Sequence, residues 1–166
     1  WTVWAVLTVY GYLTEGRERA KTRKVLEGYV SPSVAQQVMN NSSLLKLGGD
    51  ERDLTVLFSD IRGFTTMSEQ FSAGELTNFL NEYFTPMTAL VFEHGGTLDK
   101  YMGDAIMAFF GAPGALANHA EKSCLAAIDM VECLNALNER WAERGLPGID
   151  IGIGVNSGPM RVGNMG

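Results

Sequence analysis

Two cysteines and two histidines are all that 166 residues offer to disulfide or soft-metal chemistry. A framework of several disulfides is therefore excluded, and with it the small stapled folds of secreted proteins. Cys124 and Cys133 stand nine residues apart in one helical stretch, on opposite sides of it. They cannot share a metal and are expected to pack inside. His94 and His119 fall in no His-Glu-x-x-His pattern. Basic residues are outnumbered, 13 Lys and Arg against 19 Asp and Glu, for a net charge of −6. That argues against nucleic acid as a partner, because phosphate-backbone binding needs a basic surface. Internal repeats and low-complexity tracts are missing as well. With 46% hydrophobic and only 19% charged side chains, the chain is neither disordered, collagen-like nor a coiled coil.

The charge is unevenly spread. Residues 1–52 hold 7 basic and 5 acidic side chains, whereas residues 53–166 hold 6 and 14. Trp1 to Leu13 carries no charge, and as a helix it would span about 20 Å, short of the roughly 30 Å hydrocarbon core. Arg17, Arg19, Lys21, Arg23 and Lys24 follow, as the positive-inside rule places them at the cytoplasmic end of a membrane helix. No initiator Met and no cleavage pattern precede it. Residues 1–14 are therefore expected to be the end of a transmembrane helix in the cell membrane, with the remainder in the cytoplasm. An amphipathic or buried helix is the alternative. Residues 15–52 read as a helical connector, broken at Tyr29-Val30-Ser31-Pro32. There Ser31 suits an N-cap and Pro32 a first helical position. Gly48-Gly49-Asp50 closes the connector as a loop.

Residues 53–166 read as one α/β (α+β) unit. Leu54 to Ser59 (LTVLFS) is a short apolar run expected to form a buried strand. Ser72 with Glu75 is a capping box. It opens a helix whose apolar face is Leu76, Phe79, Leu80, Tyr83, Met87 and Leu90, with Pro86 expected to kink it and Gly95-Gly96 to stop it. Thr97–Tyr101 and Ala105–Phe110 are two strands joined by the tight turn Met102-Gly103-Asp104. Asn118 is expected to cap a helix reaching about Arg144. Ile149, Ile151, Ile153 and Val155 alternate as a half-buried strand, Asn156-Ser157-Gly158 should turn it, and Met160-Arg161-Val162 should begin its partner. The order β-α-β-β-α-β is the ferredoxin-like arrangement.

Two acidic residues stand where packing does not explain them. Asp60 follows the first strand and Asp104 follows the hairpin glycine. In a β-α-β-β unit the end of the first strand can meet the hairpin tip. Two carboxylates there repel unless a cation lies between them, and hard oxygen ligands suit Mg²⁺ or Mn²⁺. Ordinary turn-capping aspartates are the competing reading. The loop Ile61-Arg62-Gly63-Phe64-Thr65-Thr66 leaves a strand and precedes a helix, so its N–H groups can cradle an anion. It is not a Walker motif, and Gly152 with Gly154 does not complete a dinucleotide fingerprint.

Three stretches, LTVLFSDIRGFTTMSE, GGTLDKYMGDAIMAFFGAP and IGIGVNSGPMRVGNMG, occur in this order. Together they resemble the catalytic domain of class III nucleotidyl cyclases, and most of all bacterial membrane-bound adenylate cyclases. YVSPSVAQQV also looks like the connector of such proteins. The resemblance implies an adenylate cyclase converting ATP to 3′,5′-cyclic AMP and pyrophosphate with two ions, Mg²⁺ or Mn²⁺, per site. It implies a homodimer with composite active sites. Asp60, Asp104 and the carbonyl of Ile61 match the metal ligands. The stretch Arg62, Gly63, Phe64 and Thr65 matches the triphosphate loop. Lys100, just before Tyr101-Met102-Gly103-Asp104, matches the purine reader: Lys in adenylate cyclases, Glu in guanylate cyclases. Met102 and Gly103 flank the same site. It further implies that residues 53–166 are the N-terminal two-thirds of the domain and that the 166-residue chain alone is inactive or nearly so. Pro159 stands where some members carry Arg, and Arg161 lies two residues on. A guanylate or other nucleotide cyclase, or a non-catalytic dimerising signalling module, is the alternative. Gly48-Gly49-Asp50-Glu51 spells part of the diguanylate cyclase signature but precedes the first strand instead of forming a hairpin tip.

Overall fold

The computed structural model describes residues 49–163, together with Lys21, Val25 and Met39. The expected transmembrane end and most of the connector lie outside the described residues. Among those described, no helix is long and apolar enough to cross a membrane.

Within residues 49–163 seven elements follow one another: β1 (Asp50–Ile61), α1 (Phe64–Ser68), α2 (Ala73–Glu93), β2 (Thr97–Met102), β3 (Ala105–Phe110), α3 (His119–Glu143) and β4 (Ile151–Val162). The sheet order is β2-β3-β1-β4 and each neighbouring pair is antiparallel. This is the expected βαββαβ arrangement, with α1 added in what reads as a loop from sequence.

Alternation along the strands gives the sheet two unlike faces. Leu57, Ile61, Ile106, Ala108 and Phe110 are buried against α2 and α3, which contribute Phe79, Tyr83, Met87, Met130, Leu137 and Trp141. Each Leu, Ile, Phe or Met among them contributes about 1.5–3 kcal/mol on leaving water. The Phe79 and Trp141 rings stack at 4.4 Å between centroids, joining the two helices. The other face, with Val56, Phe58, Met107 and Lys100, has no helix over it among the described residues. Helix α2 begins at the expected capping box, with Ser72 accepting from the Glu75 N–H and Glu75 accepting in return. It runs through Pro86 to Glu93. After it, Gly96 lies so close to Phe110 that a Cβ there would stand 2.7 Å from the ring.

Three local expectations are corrected. Asn156-Ser157-Gly158 is not a turn: β4 continues through it to Val162. Its partner is β1, which starts at Asp50 instead of Leu54 and pairs along its whole length, with Ser157 Oγ and Thr55 Oγ1 2.6 Å apart across the ladder. Tertiary pairing there overrides turn-like composition. Asn118 is the N-cap residue of α3 but makes no side-chain capping bond. Cys124 is exposed and Cys133 only half-buried, so the interior placement fails for the first.

Candidate active site

The antiparallel register pairs Ser59 with Ile106, which brings the carboxyl end of β1 level with the tip of the β2–β3 hairpin. The turn there is possible because Gly103 adopts φ 65°, a left-handed conformation that glycine enters without penalty. Asp104, directly after it, accepts the Ile61 N–H through Oδ2 at 3.2 Å. Burial, followed by the Asp60 carboxyl within hydrogen-bonding reach and its negative charge, pushes the Asp104 carboxyl above its ordinary range, against the opposing pull of backbone N–H groups. The two carboxylates thus converge at one place. Behind them Tyr83 is buried, its hydroxyl 3.1 Å from Ser59 Oγ. Burial, and further the charges of Asp104 and Asp60, hold its pKa up at about 12, so it stays protonated.

This donor set fits a hard divalent cation. Among the described residues no group of three or more His, Cys, Asp or Glu could hold a metal. A site of two carboxylates is what Mg²⁺ accepts when backbone oxygen, water and substrate phosphate complete its shell. Ile61, whose N–H Asp104 accepts, is the last residue of β1 and follows Asp60 directly. Next along the chain, Gly63 takes φ 67° and starts α1, whose first backbone bond runs from the Met67 N–H to the Gly63 carbonyl at 3.2 Å. The N–H groups of Phe64 and Thr65 precede that bond, four and five residues after Asp60 in the chain.

Lys100 sits elsewhere. It is exposed on β2, opposite Met107, with Nζ 3.2 Å from the Asp99 carboxylate. Lys100, Met107, Phe58 and Gly154 form one row across the open face of the sheet, so Lys100 is two strand spacings, about 10 Å, from Phe58.

The sequence pattern described as "Adenylate and Guanylate cyclase catalytic domain" matches residues 49–166. The chain belongs to this family. An adenylate cyclase of Anabaena cylindrica is 40% identical over 119 residues, covering 69% of this chain and 23% of the relative. The crystal structure of an adenylyl cyclase from P. aeruginosa superposes with a TM-score of 0.68 at 38% identity, covering 70% of this chain and 61% of the other. A guanylyl cyclase crystal structure gives the same TM-score at 40% identity, covering 72% and 60%. The chain spans about a quarter of the length of the curated relatives it matches.

Within this cyclase domain the expected residues divide. Asp60, Asp104, Ile61 and the loop Arg62–Thr65 come together at one end of β1. Met102 is exposed beside the turn that Gly103 makes. Lys100 does not join the carboxylates of its own chain. Arg161 lies opposite Glu51 at the far end of β1, its Nε 3.5 Å from the Gly49 carbonyl. Nine residues of strand, about 30 Å, separate it from the level of Asp60. The histidines tie elements together: His94 Nε2 to Asp129 Oδ2 at 2.6 Å, and His119 Nδ1 to Thr55 Oγ1 at 2.7 Å.

Sequence reasoning missed a recess on the open face, about 520 Å³, lined by Val56, Phe58, Met107, Gly154, Asn156 and Met160 among others. LTVLFS reads as buried throughout, yet Phe58 is 44% exposed. The period of two within that run was the available signal. A larger recess of about 1000 Å³ lies between α2 and α3, away from the carboxylates. There Glu82 is already engaged by Arg144 at 2.7 Å and the Trp141 Nε1–H at 3.0 Å, a structural tie between helices.

Proposed function

We propose that this chain carries the metal and triphosphate half of an adenylate cyclase, which converts ATP to 3′,5′-cyclic AMP and pyrophosphate. The convergence of Asp60 and Asp104 carries the reading. These carboxylates and the Ile61 carbonyl would hold two Mg²⁺ or Mn²⁺ ions. When bound, such ions supply Lewis-acid stabilisation of phosphate charge and lower the pKa of a coordinated hydroxyl. The chain's own part is positional. The N–H groups of Gly63, Phe64 and Thr65 hold phosphate oxygens, and the buried edge of Ile61 and Tyr83 fixes the carboxylates from behind.

Lys100 would read the purine of a nucleotide held by a second copy, giving a homodimer with composite sites. Its exposure on the open face supports this, as does its separation from the carboxylates of its own chain. The apolar recess around Phe58 and Met107 lies in the same row and suits a base ring. An ammonium group is donor-only and pairs with adenine N1, an acceptor, whereas guanine presents a donor there. The domain division at residues 14 and 52, and attachment to the cell membrane from the cytoplasmic side, belong to the same proposal. A guanylate cyclase is the second reading, favoured by the guanylyl cyclase structure at 40% identity. Comparing kcat/KM for ATP and GTP with Mn²⁺, in the native polypeptide that carries residues 1–166, tests both. Preference for ATP supports the first reading; preference for GTP supports the second.

A further inference from the structure

The regular pairing of β2 with β3 breaks at one step. Leu98 lies opposite Ala108 and Lys100 opposite Met107, so Asp99 falls between them as the extra residue of a β-bulge. Anchors on both sides pin the bulge in place. Leu98 is buried in the core. Three residues on, Tyr101 turns to α2, its hydroxyl 2.8 Å from Thr88 Oγ1 and its ring centroid 4.4 Å from that of Phe84. A regular strand sends residues three apart to opposite faces. The extra residue is what lets both of these meet the helix side. It also sets the phase of the position between them. With the Leu98 register continued unbroken, Asp99 would stand opposite Met107 and Lys100 would point towards the helices. The bulge instead puts Lys100 opposite Met107, on the open face.

Consecutive side chains of a regular strand leave opposite faces and do not meet. Here they do: Asp99 Oδ2 lies 3.2 Å from Lys100 Nζ. Ion pairs this exposed add little to stability, so the consequence of the contact is where it holds the ammonium. A lysine is a point charge on a flexible four-carbon stem, and a carboxylate one residue away restricts the region that charge visits. One of the three ammonium donors goes to Asp99. The Lys100 side chain stays 59% exposed, so the other two are open to a ligand. We propose that Asp99 is a positioning residue for Lys100. The bulge sets its carboxylate beside the ammonium, which is thereby held on the open face, in one row with Met107 and Phe58, for the ring-nitrogen acceptor of a purine. Asp99 itself makes no contact with the nucleotide. This assignment rests on the reading of Lys100 as the residue that meets the purine.

The test uses the native polypeptide that carries residues 1–166, titrated calorimetrically in the presence of Mn²⁺. The probes are α,β-methylene-ATP, which cannot lose pyrophosphate, and its guanine counterpart; inorganic tripolyphosphate, which has no base, is the reference. Lys100→Ala should weaken the adenine probe about tenfold or more. Asp99→Ala is expected to weaken it about threefold to tenfold, between the effect of an exposed ion pair and the cost of ordering a free lysine. The preference for adenine over guanine should narrow with it. Asp99→Glu, which restores a carboxylate, should recover part of the loss. In the Lys100→Ala background, Asp99→Ala should add nothing. Tripolyphosphate affinity should stay within about twofold in every variant, because solvent and salt screen a charge pair that stands away from the phosphate site. Unchanged adenine affinity in Asp99→Ala, with Lys100→Ala weakened, overturns the proposal and leaves the reading of Lys100 standing. Additive losses overturn it by marking a direct contact of Asp99 with the base. An equal loss of tripolyphosphate affinity overturns it by marking a purely structural role. A wild type that binds neither nucleotide probe, or a Lys100→Ala variant that binds both as the wild type does, overturns the purine reading itself.

Discussion

Asp104→Asn replaces one of two converging carboxylates by a neutral group of the same shape. Without metal, the Asp104 carboxyl is held above its ordinary pKa by burial and by Asp60. A carboxyl raised in the folded state makes stability fall as pH rises through its unfolded value towards its folded one. At pH 7 the metal-free variant should therefore be at least as stable as the wild type. With divalent metal the order reverses. A cation at a hundred times its Kd stabilises the wild type by about 2.7 kcal/mol, and a tenfold loss of affinity leaves about 1.4 kcal/mol at the same concentration. For a domain of this size that is a rise in Tm of roughly 10 °C against about half of that. Thermal unfolding followed calorimetrically, with and without Mn²⁺, reads both quantities. A variant that keeps the full metal-induced rise, or is clearly less stable than the wild type without metal, would refute the account of this pair.

Lys100→Glu should lower kcat/KM for ATP about tenfold or more by setting an acceptor against adenine N1, without creating an efficient guanylate cyclase; steady-state kinetics with both nucleotides measure it. Glu82→Gln should lower Tm by a few degrees at neutral pH by weakening the tie to Arg144 and Trp141. Because the Arg144 and Trp141 hydrogen bonds hold the Glu82 carboxyl below 4.5, its contribution is complete above that pH and lost below it. The two melting curves should therefore converge on acidification. Gly96→Ala puts a methyl 2.7 Å from the Phe110 ring and should cost about 1–3 kcal/mol by overpacking, read as a lower denaturant midpoint with an unchanged m-value.

How far the sequence was legible differs from residue to residue. Asp60 and Asp104 could be brought together on paper because each directly follows an unmistakable signal, an apolar strand and a hairpin glycine. The topology then leaves little freedom. The capping box at Ser72 was legible for the same reason, since its chemistry is local. The course of β4 was not. Asn156-Ser157-Gly158 has turn composition, and the residues that pair with its continuation, Asp50 to Asp53, are charged and carry no strand signal of their own. Only the ladder between β1 and β4 explains them. Phe58 was hidden because a run of apolar residues does not say which of its members face a helix and which face an open sheet. The bulge at Asp99 was beyond reach from sequence, because it depends on the register between β2 and β3. Lys100 is singled out by the resemblance alone, and its distance from the carboxylates is a consequence of strand order.

The most direct test is to incubate the native polypeptide carrying residues 1–166 with Mn²⁺ and ATP, alongside its Asp104→Asn variant, and to quantify the product by mass spectrometry. The account predicts 3',5'-cyclic AMP and pyrophosphate from the wild type, with a loss of at least about a hundredfold in the variant, since the ligand it removes supplies several kcal/mol of transition-state stabilisation. No cyclic nucleotide from the wild type, or undiminished turnover in the variant, would contradict it.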